Sequence, residues 1–162
     1  MIRGLHHNAY RCRDSEETRR FYEDFLGLRL AGSLEIGKTM TGRKTEVLHT
    51  FYEMDNGSYL AFFEDPGTPF DFKEQRDFDL HIALEVEHAV LEPMLEKGRA
   101  AGIESRGIAD HRFIQSIYFR DPNGYVIELT ARLPNHDAEM NPGTNGARDI
   151  LDRWQANKDA QS

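Results

Sequence analysis

Residues 111–129 of this chain read His111-Arg-Phe-Ile-Gln-Ser-Ile-Tyr118-Phe-Arg-Asp121-Pro-Asn-Gly124-Tyr-Val-Ile-Glu128-Leu. Strand-forming apolar runs flank the Asp-Pro-Asn-Gly sequence, which is the pattern of two antiparallel strands joined by a tight turn. Such a hairpin holds Glu128 rigidly, as a metal ligand has to be held. A carboxylate in an apolar strand costs free energy unless it is paired or bound. The alternative is a half-exposed sheet on which Glu128 faces water.

The rest of the chain repeats one order of elements twice, a strand, a helix and three strands. The first copy is predicted over Leu5–Cys12, Ser15–Leu26, Arg29–Ile36, Glu46–Met54 and Tyr59–Glu64. The second copy is predicted over Phe78–Val86, Ala89–Ala101, Ile103–Ile108, Phe113–Phe119 and Tyr125–Ala131. A linker with Asp-Pro-Gly-Thr-Pro at its start joins the two copies. The pattern therefore predicts two similar modules.

Three potential metal ligands, far apart in sequence, lie on strands of the two copies. His7 is on the first strand of the first copy, His81 on the first strand of the second copy and Glu128 on the last strand. Two neutral imidazoles and one carboxylate form a facial ligand set for a divalent transition metal. The coordination sites that such a set leaves open can bind and polarise a substrate. This arrangement favours a catalytic metal site over a structural one.

Composition narrows the class of protein. The chain has 162 residues, 39% of them hydrophobic and 30% charged, which is ordinary for a soluble globular protein. Its net charge of −8 argues against binding nucleic acid. The single cysteine, Cys12, fits a reducing compartment and predicts a buried packing thiol. With no apolar stretch long enough for a membrane span and no signal-peptide profile, we expect a cytoplasmic protein without a membrane partner.

The last thirty residues differ in composition from the repeats. Residues 133–146 are irregular, and residues 147–156 predict one last helix with Ile150, Leu151 and Trp154 on one side. We expect a single domain over residues 1–132, with modules at about 1–66 and 77–132, followed by a C-terminal arm and helix over 133–162. The apolar stripe predicts that this helix docks on its own domain or on a partner subunit.

Four segments carry a resemblance to a known family. They are Leu5-His-His-Asn-Ala-Tyr-Arg-Cys-Arg-Asp14, Phe21-Tyr-Glu-Asp-Phe-Leu-Gly-Leu28, Leu80-His-Ile-Ala-Leu-Glu-Val86 and Ile117-Tyr-Phe-Arg-Asp-Pro-Asn-Gly-Tyr-Val-Ile-Glu128. Over about residues 4–131 the chain resembles the vicinal oxygen chelate superfamily of glyoxalase I, fosfomycin thiol transferases, bleomycin-resistance proteins and type I extradiol dioxygenases. The resemblance implies an α+β fold in which two βαβββ modules form a cupped, half-barrel mixed sheet around a divalent metal, here followed by the C-terminal helical arm.

The resemblance also implies which residues bind the metal. His7, His81 and Glu128 match the family's ligands on the first, fifth and last strands. His6 competes with His7, although strand parity favours His7. Glyoxalase-like members take a fourth ligand from the fourth strand, where this chain has Ala61. Glu64 is a fallback ligand, with an exposed strand-end carboxylate as its alternative.

The last hairpin resembles the extradiol dioxygenases more than the other members. In those enzymes a histidine and a tyrosine before the turn contact substrate or oxygen, which implies catalytic roles for His111 and Tyr118. The alternatives are an exposed loop residue for His111 and a core aromatic for Tyr118. The larger dioxygenases carry a further histidine before the fifth strand, and the linker has none. His49, on the third strand, is either its substitute or a satisfied half-buried histidine.

The primary hypothesis is therefore a dioxygenase, an oxidoreductase that cleaves a catechol-like aromatic with Fe(II) or Mn(II). One alternative is a glyoxalase-like lyase or isomerase, or a thiol transferase, for which Ni, Zn or Co are also suitable metals. The other is a metal-free binding protein that sequesters a ligand. The substrate is a small molecule in each case, and the resemblance implies a homodimer. Aromatic residues are expected to line the substrate site, with Phe51, Phe62, Phe63 and Phe70 as candidates.

Overall fold

A computed structural model describes residues 1–159 of the chain. The first module consists of β1 (His7–Cys12), α1 (Ser15–Arg19), a π-helical segment (Arg20–Phe25), β2 (Arg29–Lys38), β3 (Lys44–Glu53) and β4 (Tyr59–Glu64). The second module consists of β5 (Ile82–Glu85), a 3-10 turn (His88–Val90), α2 (Leu91–Ala100), β6 (Ser105–Asp110), β7 (Ile114–Arg120) and β8 (Val126–Arg132). A C-terminal arm carries α3 (His136–Glu139) and α4 (Ala147–Asp159).

Each module forms one four-stranded sheet. The strand orders are β1-β4-β3-β2 and β5-β8-β7-β6, so the two sheets have the same topology. The first strand of each module pairs in parallel with the last strand, and the other pairs are antiparallel. The predicted α+β class and the duplicated βαβββ order are confirmed. The hairpin predicted around the Asp-Pro-Asn-Gly turn is the β7–β8 pair.

The first helix departs from the prediction in its geometry. Asp14 caps it, accepting a hydrogen bond from the backbone N–H of Glu17 at 2.8 Å. After Arg19 the turns widen, and the N–H of Leu26 reaches the carbonyl of Phe21, five residues earlier, at 3.0 Å. The segment predicted as one helix over residues 15–26 is therefore α-helical only in its first half.

The core lies on one face of each sheet, and the modules meet there. Phe25 packs edge-on against Phe119 with ring centroids 5.1 Å apart, and the Tyr22 hydroxyl donates to the buried carboxylate of Asp121 at 2.9 Å. Burial raises the pKa of Asp121, and this effect outweighs the hydrogen bonds that the carboxylate accepts. Cys12 is also buried here, and burial raises the pKa of its thiol to about 11, as expected for a packing residue.

The opposite face of each sheet is here called the outer face. In the first sheet it carries His7, His49, Phe51 and Phe63, and in the second sheet it carries Glu128, Tyr118 and Arg106. These assignments follow from the register, because paired residues and residues two apart along a strand share a face.

Two further boundaries differ from the prediction. The strand predicted from Phe78 begins at Ile82, because the backbone N–H groups of Asp79 and Leu80 both turn back to the carbonyl of Arg76. Phe78 consequently lies fully exposed on that turn. The last helix runs over Ala147–Asp159 rather than residues 147–156, and Trp154 on it is 68% exposed.

The apolar stripe of α4 therefore does not dock on any other part of residues 1–159. The division into a domain over residues 1–132 and an arm over 133–162 stays a prediction, and residues 160–162 lie outside the described part. None of the helices within residues 1–159 is long and apolar enough to cross a membrane.

The β7–β8 turn is fixed against the linker through Gly124. This glycine has a φ of +93°, and a Cβ atom placed on it meets the backbone oxygen of Lys73 at 2.2 Å. The linker approaches closely because the N–H of Lys73 donates to the carbonyl of Asn123 at 2.8 Å. Both the backbone conformation and the contact therefore require glycine.

We expect Gly124→Ala to lower the free energy of unfolding by about 2–4 kcal/mol, because it combines backbone strain with a clash against main-chain atoms. Urea denaturation checks this value. Gly57→Ala is the matched control, since Gly57 has a φ of +77° but open space around it. The control is expected to cost only about 1 kcal/mol, from strain alone. Equal losses in the two variants would contradict the Lys73 contact.

Candidate metal centre

His81 and Glu128 form a close pair on the second sheet. The carboxylate of Glu128 projects from the middle of β8 and is 4% exposed, and its Oε2 lies 3.1 Å from Nε2 of His81. His81 immediately precedes β5, the strand that pairs with β8. Two predicted ligands far apart in sequence are thus brought together by the parallel pairing of β5 and β8.

The hydrogen bond made by Nδ1 of His81 determines whether its Nε2 carries a hydrogen or a lone pair towards Glu128. Nδ1 lies 2.8 Å from the backbone oxygen of Asp77. A carbonyl oxygen only accepts, so Nδ1 carries the hydrogen and Nε2 of the neutral ring carries a lone pair. That lone pair and a carboxylate oxygen repel each other at 3.1 Å unless a proton or a metal cation lies between them. The nitrogen and oxygen donors suit a divalent transition metal.

Tyr118 lies directly across from Glu128 in the β7–β8 register. Its hydroxyl is 2.8 Å from Nε2 of His111, so the two residues predicted as catalytic contact each other. Burial and the neighbouring charge of Glu128 raise the pKa of Tyr118, and its hydroxyl therefore keeps its proton at neutral pH. This pair offers a proton donor beside the carboxylate.

A guanidinium group completes this side of the second sheet. Arg106 pairs with Tyr118 in the β6–β7 register and lies over its ring, with Cζ 4.6 Å from the centroid. It also forms an ion pair with Asp77, the residue whose carbonyl orients His81. The sequence prediction missed Arg106. Its place opposite Tyr118 could have been found from the predicted β6–β7 pairing, because residues in register share a face.

His7 lies in the other sheet, on β1, and is exposed. Its Nδ1 is 2.8 Å from Nδ1 of the neighbouring His6, and its ring is 5.6 Å from that of Phe51 and 6.3 Å from that of His49. Residues 1–159 contain no group of three or more histidine, cysteine, aspartate or glutamate side chains that could hold a metal ion together. Within one chain, therefore, the structure unites His81 with Glu128 but leaves His7 apart from them.

The four aromatic residues predicted to line the substrate site lie in three places. Phe51 and Phe63 lie on the outer face with His7, and their role in substrate binding stays a prediction. The prediction is wrong for Phe62, which points to the other side of β4 and is completely buried against Tyr22, with ring centroids 4.7 Å apart. Phe70 is in the linker, where it packs under the ammonium group of Lys73.

The fallback ligand Glu64 has another partner. It shares the core-side orientation of Phe62, and its Oε2 accepts a hydrogen bond at 2.7 Å from the backbone N–H of Ser15. A carboxylate at the start of a helix stabilises the free N–H groups there. Glu64 thus supports α1 rather than the outer face.

Comparison with known proteins gives one family match. Residues 4–129 match the model of the Glyoxalase/Bleomycin resistance protein/Dioxygenase superfamily. This stretch includes both sheets apart from the last three residues of β8.

Individual relatives share only 20–25% of their residues with the chain. The metallothiol transferase FosB of Shouchella clausii (strain KSM-K16) is 25% identical over 139 residues, which cover 80% of each chain. The fosfomycin resistance protein FosX of Listeria monocytogenes, solved with Mn(II) and sulfate, superposes with a TM-score of 0.64 at 20% identity, covering 86% of this chain and 98% of FosX. A glyoxylase/bleomycin resistance protein/dioxygenase domain from Frankia sp. EAN1pec also gives 0.64 at 20% identity, covering 82% and 100%.

Proposed function

The chain belongs to the Glyoxalase/Bleomycin resistance protein/Dioxygenase superfamily, and from this premise we propose that it is a divalent-metal enzyme that transfers a thiol to a small anionic substrate. The family expected from the sequence is confirmed. The family match does not specifically support the extradiol dioxygenases, which the sequence analysis had preferred within this family. The relative with a stated activity is a metallothiol transferase, so the alternative named from the sequence fits better.

The observation that carries the proposal is the His81–Glu128 pair. A buried carboxylate faces an imidazole nitrogen whose lone pair is oriented towards it by the Asp77 carbonyl. This is the usual support of a metal-binding histidine, which donates its second ring N–H to a backbone oxygen. A binding protein that sequesters a ligand without metal has no need of such a pair.

His7 supplies the third ligand from a second copy of the chain. The modules of one chain pack together through core-side contacts, and within residues 1–159 His7 does not join His81 and Glu128 in one group. In a homodimer, the first module of one subunit can cover the second module of its partner. His7 then joins His81 and Glu128 of the other subunit, and each dimer has two such sites.

A bound divalent metal, held by His81, Glu128 and His7, would supply Lewis-acid polarisation of a substrate oxygen, and Mn(II), as found in FosX, is the first choice. Arg106 offers a positive charge beside Tyr118 for the anionic end of the substrate. When the sulfur of the thiol attacks carbon and a carbon–oxygen bond of the substrate breaks, Tyr118, with His111 at 2.8 Å, can donate a proton to that oxygen, which stays in the product as a hydroxyl. The proton that the thiol loses balances the one that Tyr118 gives. Phe51 and Phe63 from the partner's first module would form the apolar wall.

The proposal is tested by incubating the Mn(II)-loaded protein with fosfomycin, the compound named for its relatives, and a panel of low-molecular-weight thiols. We expect a product whose mass is that of fosfomycin plus one thiol, formed only when metal is present. Mass spectrometry detects this adduct. Tyr118→Phe is expected to slow its formation by about 10²-fold without weakening Mn(II) binding, because a proton donor contributes to the reaction step rather than to metal affinity.

Two other products would reject thiol transfer. A metal-dependent gain of one water would indicate a hydrolase on the same site. Oxygen uptake with a catechol and a yellow ring-fission product would return the assignment to the extradiol dioxygenases. A protein that binds fosfomycin tightly but holds no metal would be a sequestering protein.

A further inference from the structure

His49 on β3 is almost completely buried, with 7% of its surface exposed. Its ring stacks on Phe63 with centroids 3.7 Å apart and an interplanar angle of 11°, and it lies 4.2 Å from the ring of Phe51. These contacts fix the plane of the imidazole. A buried imidazole usually has at least one nitrogen fixed by a hydrogen bond.

Only one nitrogen of His49 has a hydrogen-bond partner within the described chain. Nδ1 lies 3.0 Å from the backbone oxygen of Phe62. Because the carbonyl only accepts, Nδ1 carries the hydrogen and Nε2 holds the lone pair of the neutral ring. No residue within 1–159 donates to Nε2.

This arrangement matches that of His81. In both residues Nδ1 donates to a backbone oxygen, at 2.8 Å for His81 and 3.0 Å for His49, and Nε2 is left to accept. A histidine that binds a metal commonly has its other nitrogen fixed in this way. In His81 the free Nε2 faces the predicted ligand Glu128.

His49 also lies on the outer face beside His7, with ring centroids 6.3 Å apart. The register explains this proximity, because His7 on β1 and His49 on β3 lie on the same face of the sheet, one on each side of β4, whose small Ala61 side chain is completely buried between them. A metal held by two imidazoles lies about 2.1 Å from each nitrogen. The exposed His7 can rotate to share an ion with the fixed ring of His49.

We propose that His49 is the fourth protein ligand of the metal, supplied from β3 in place of a side chain on β4. The site then contains His7 and His49 from one subunit and His81 and Glu128 from its partner. This inference rests on the proposed function, because it assumes that the two outer faces meet in a homodimer. It makes the site a three-histidine, one-carboxylate centre, which leaves fewer positions open for substrate than a facial triad.

The inference is tested by titrating Co(II) into the full-length protein and following both the affinity and the visible absorption of the bound ion. His49→Phe keeps the stacking between Phe51 and Phe63 but removes the nitrogen, and His49→Gln is a second variant in case the first does not fold. We expect a loss of affinity of about 10–100-fold and a changed absorption spectrum. His88→Gln is the control, because His88 bonds Gln115 away from the predicted ligands.

The outcomes separate this inference from the proposed function. If the wild-type protein binds Co(II) and His49→Phe shows the same affinity and spectrum, His49 is not a ligand and the three-ligand site stands. If the wild-type dimer binds neither Co(II) nor Mn(II), both proposals are wrong. A weakened affinity in His49→Phe with an unchanged spectrum would also overturn the ligand assignment, since loss of a ligand alters the coordination sphere.

Discussion

Replacing Glu128 by glutamine is expected to weaken Mn(II) binding by at least about 100-fold and to remove thiol transfer in the same proportion. Glutamine keeps the length and shape of the side chain but lacks the charge. Its amide N–H₂ group can also donate to Nε2 of His81, 3.1 Å from the present carboxylate oxygen, and so occupy the lone pair that the metal needs. Isothermal titration with Mn(II) and the adduct assay measure the two losses.

The metal-free protein should respond in the opposite direction. Glu128 is 4% exposed, and a buried carboxylate without a cation destabilises the fold, so we expect the glutamine variant to unfold at a higher temperature than the metal-free wild-type protein. Glu85→Gln is the matched control, because Glu85 is an exposed glutamate on neighbouring β5 that pairs with Arg132. Unchanged Mn(II) affinity in Glu128→Gln would remove Glu128 from the metal site.

Much of the fold was accessible from the sequence because local patterns determine it. The β4 strand, Tyr59–Glu64, has the predicted bounds, since a clear Asp-Asn-Gly-Ser turn precedes it and Asp-Pro-Gly follows it. The β7–β8 hairpin was equally clear. In both places turn residues with specific backbone preferences border apolar runs, and such signals depend on few distant contacts.

The errors lie where a distant contact or a small change of geometry decides the structure. The π-helical segment Arg20–Phe25 has the same apolar spacing as an α-helix, so periodicity could not reveal it. The start of β5 was placed too early because Phe78 looks like a strand residue, whereas the turn at Arg76 exposes it. Phe62 was assigned to the substrate site although strand parity with Ala61 already placed it on the other face.

The sequence indicated the individual residues of the candidate site but not which of them lie close together in space. Strand parity favoured His7 over His6, the repeat gave His81 as the counterpart of His7, and the last hairpin indicated Glu128. The sequence could not show that His7 lies apart from His81 and Glu128 within residues 1–159, because that depends on how the two modules pack, through contacts such as Tyr22 with Asp121, 99 residues apart. The free nitrogen of His49 likewise depends on a carbonyl of the neighbouring strand.

The proposed sharing of the site between subunits leads to a prediction with a yes-or-no result. His7→Ala and Glu128→Gln are each expected to be inactive as homodimers, because every site lacks a ligand. Unfolding and refolding the two variants together forms mixed dimers. In such a dimer one site combines both defects, while the other combines an intact first module with an intact second module.

Activity should therefore reappear on mixing, at about one quarter of the wild-type level when equal amounts associate at random, because half of the dimers are mixed and each has one intact site. The adduct assay measures the recovery, and native mass spectrometry counts the mixed dimers. Mixing His81→Ala with Glu128→Gln is the control. Both of these residues belong to the second module, so no intact site forms and no activity returns. If the first mixture also stays inactive while mixed dimers are present, His7 does not complete the partner's site, and the ligands must be sought within one chain.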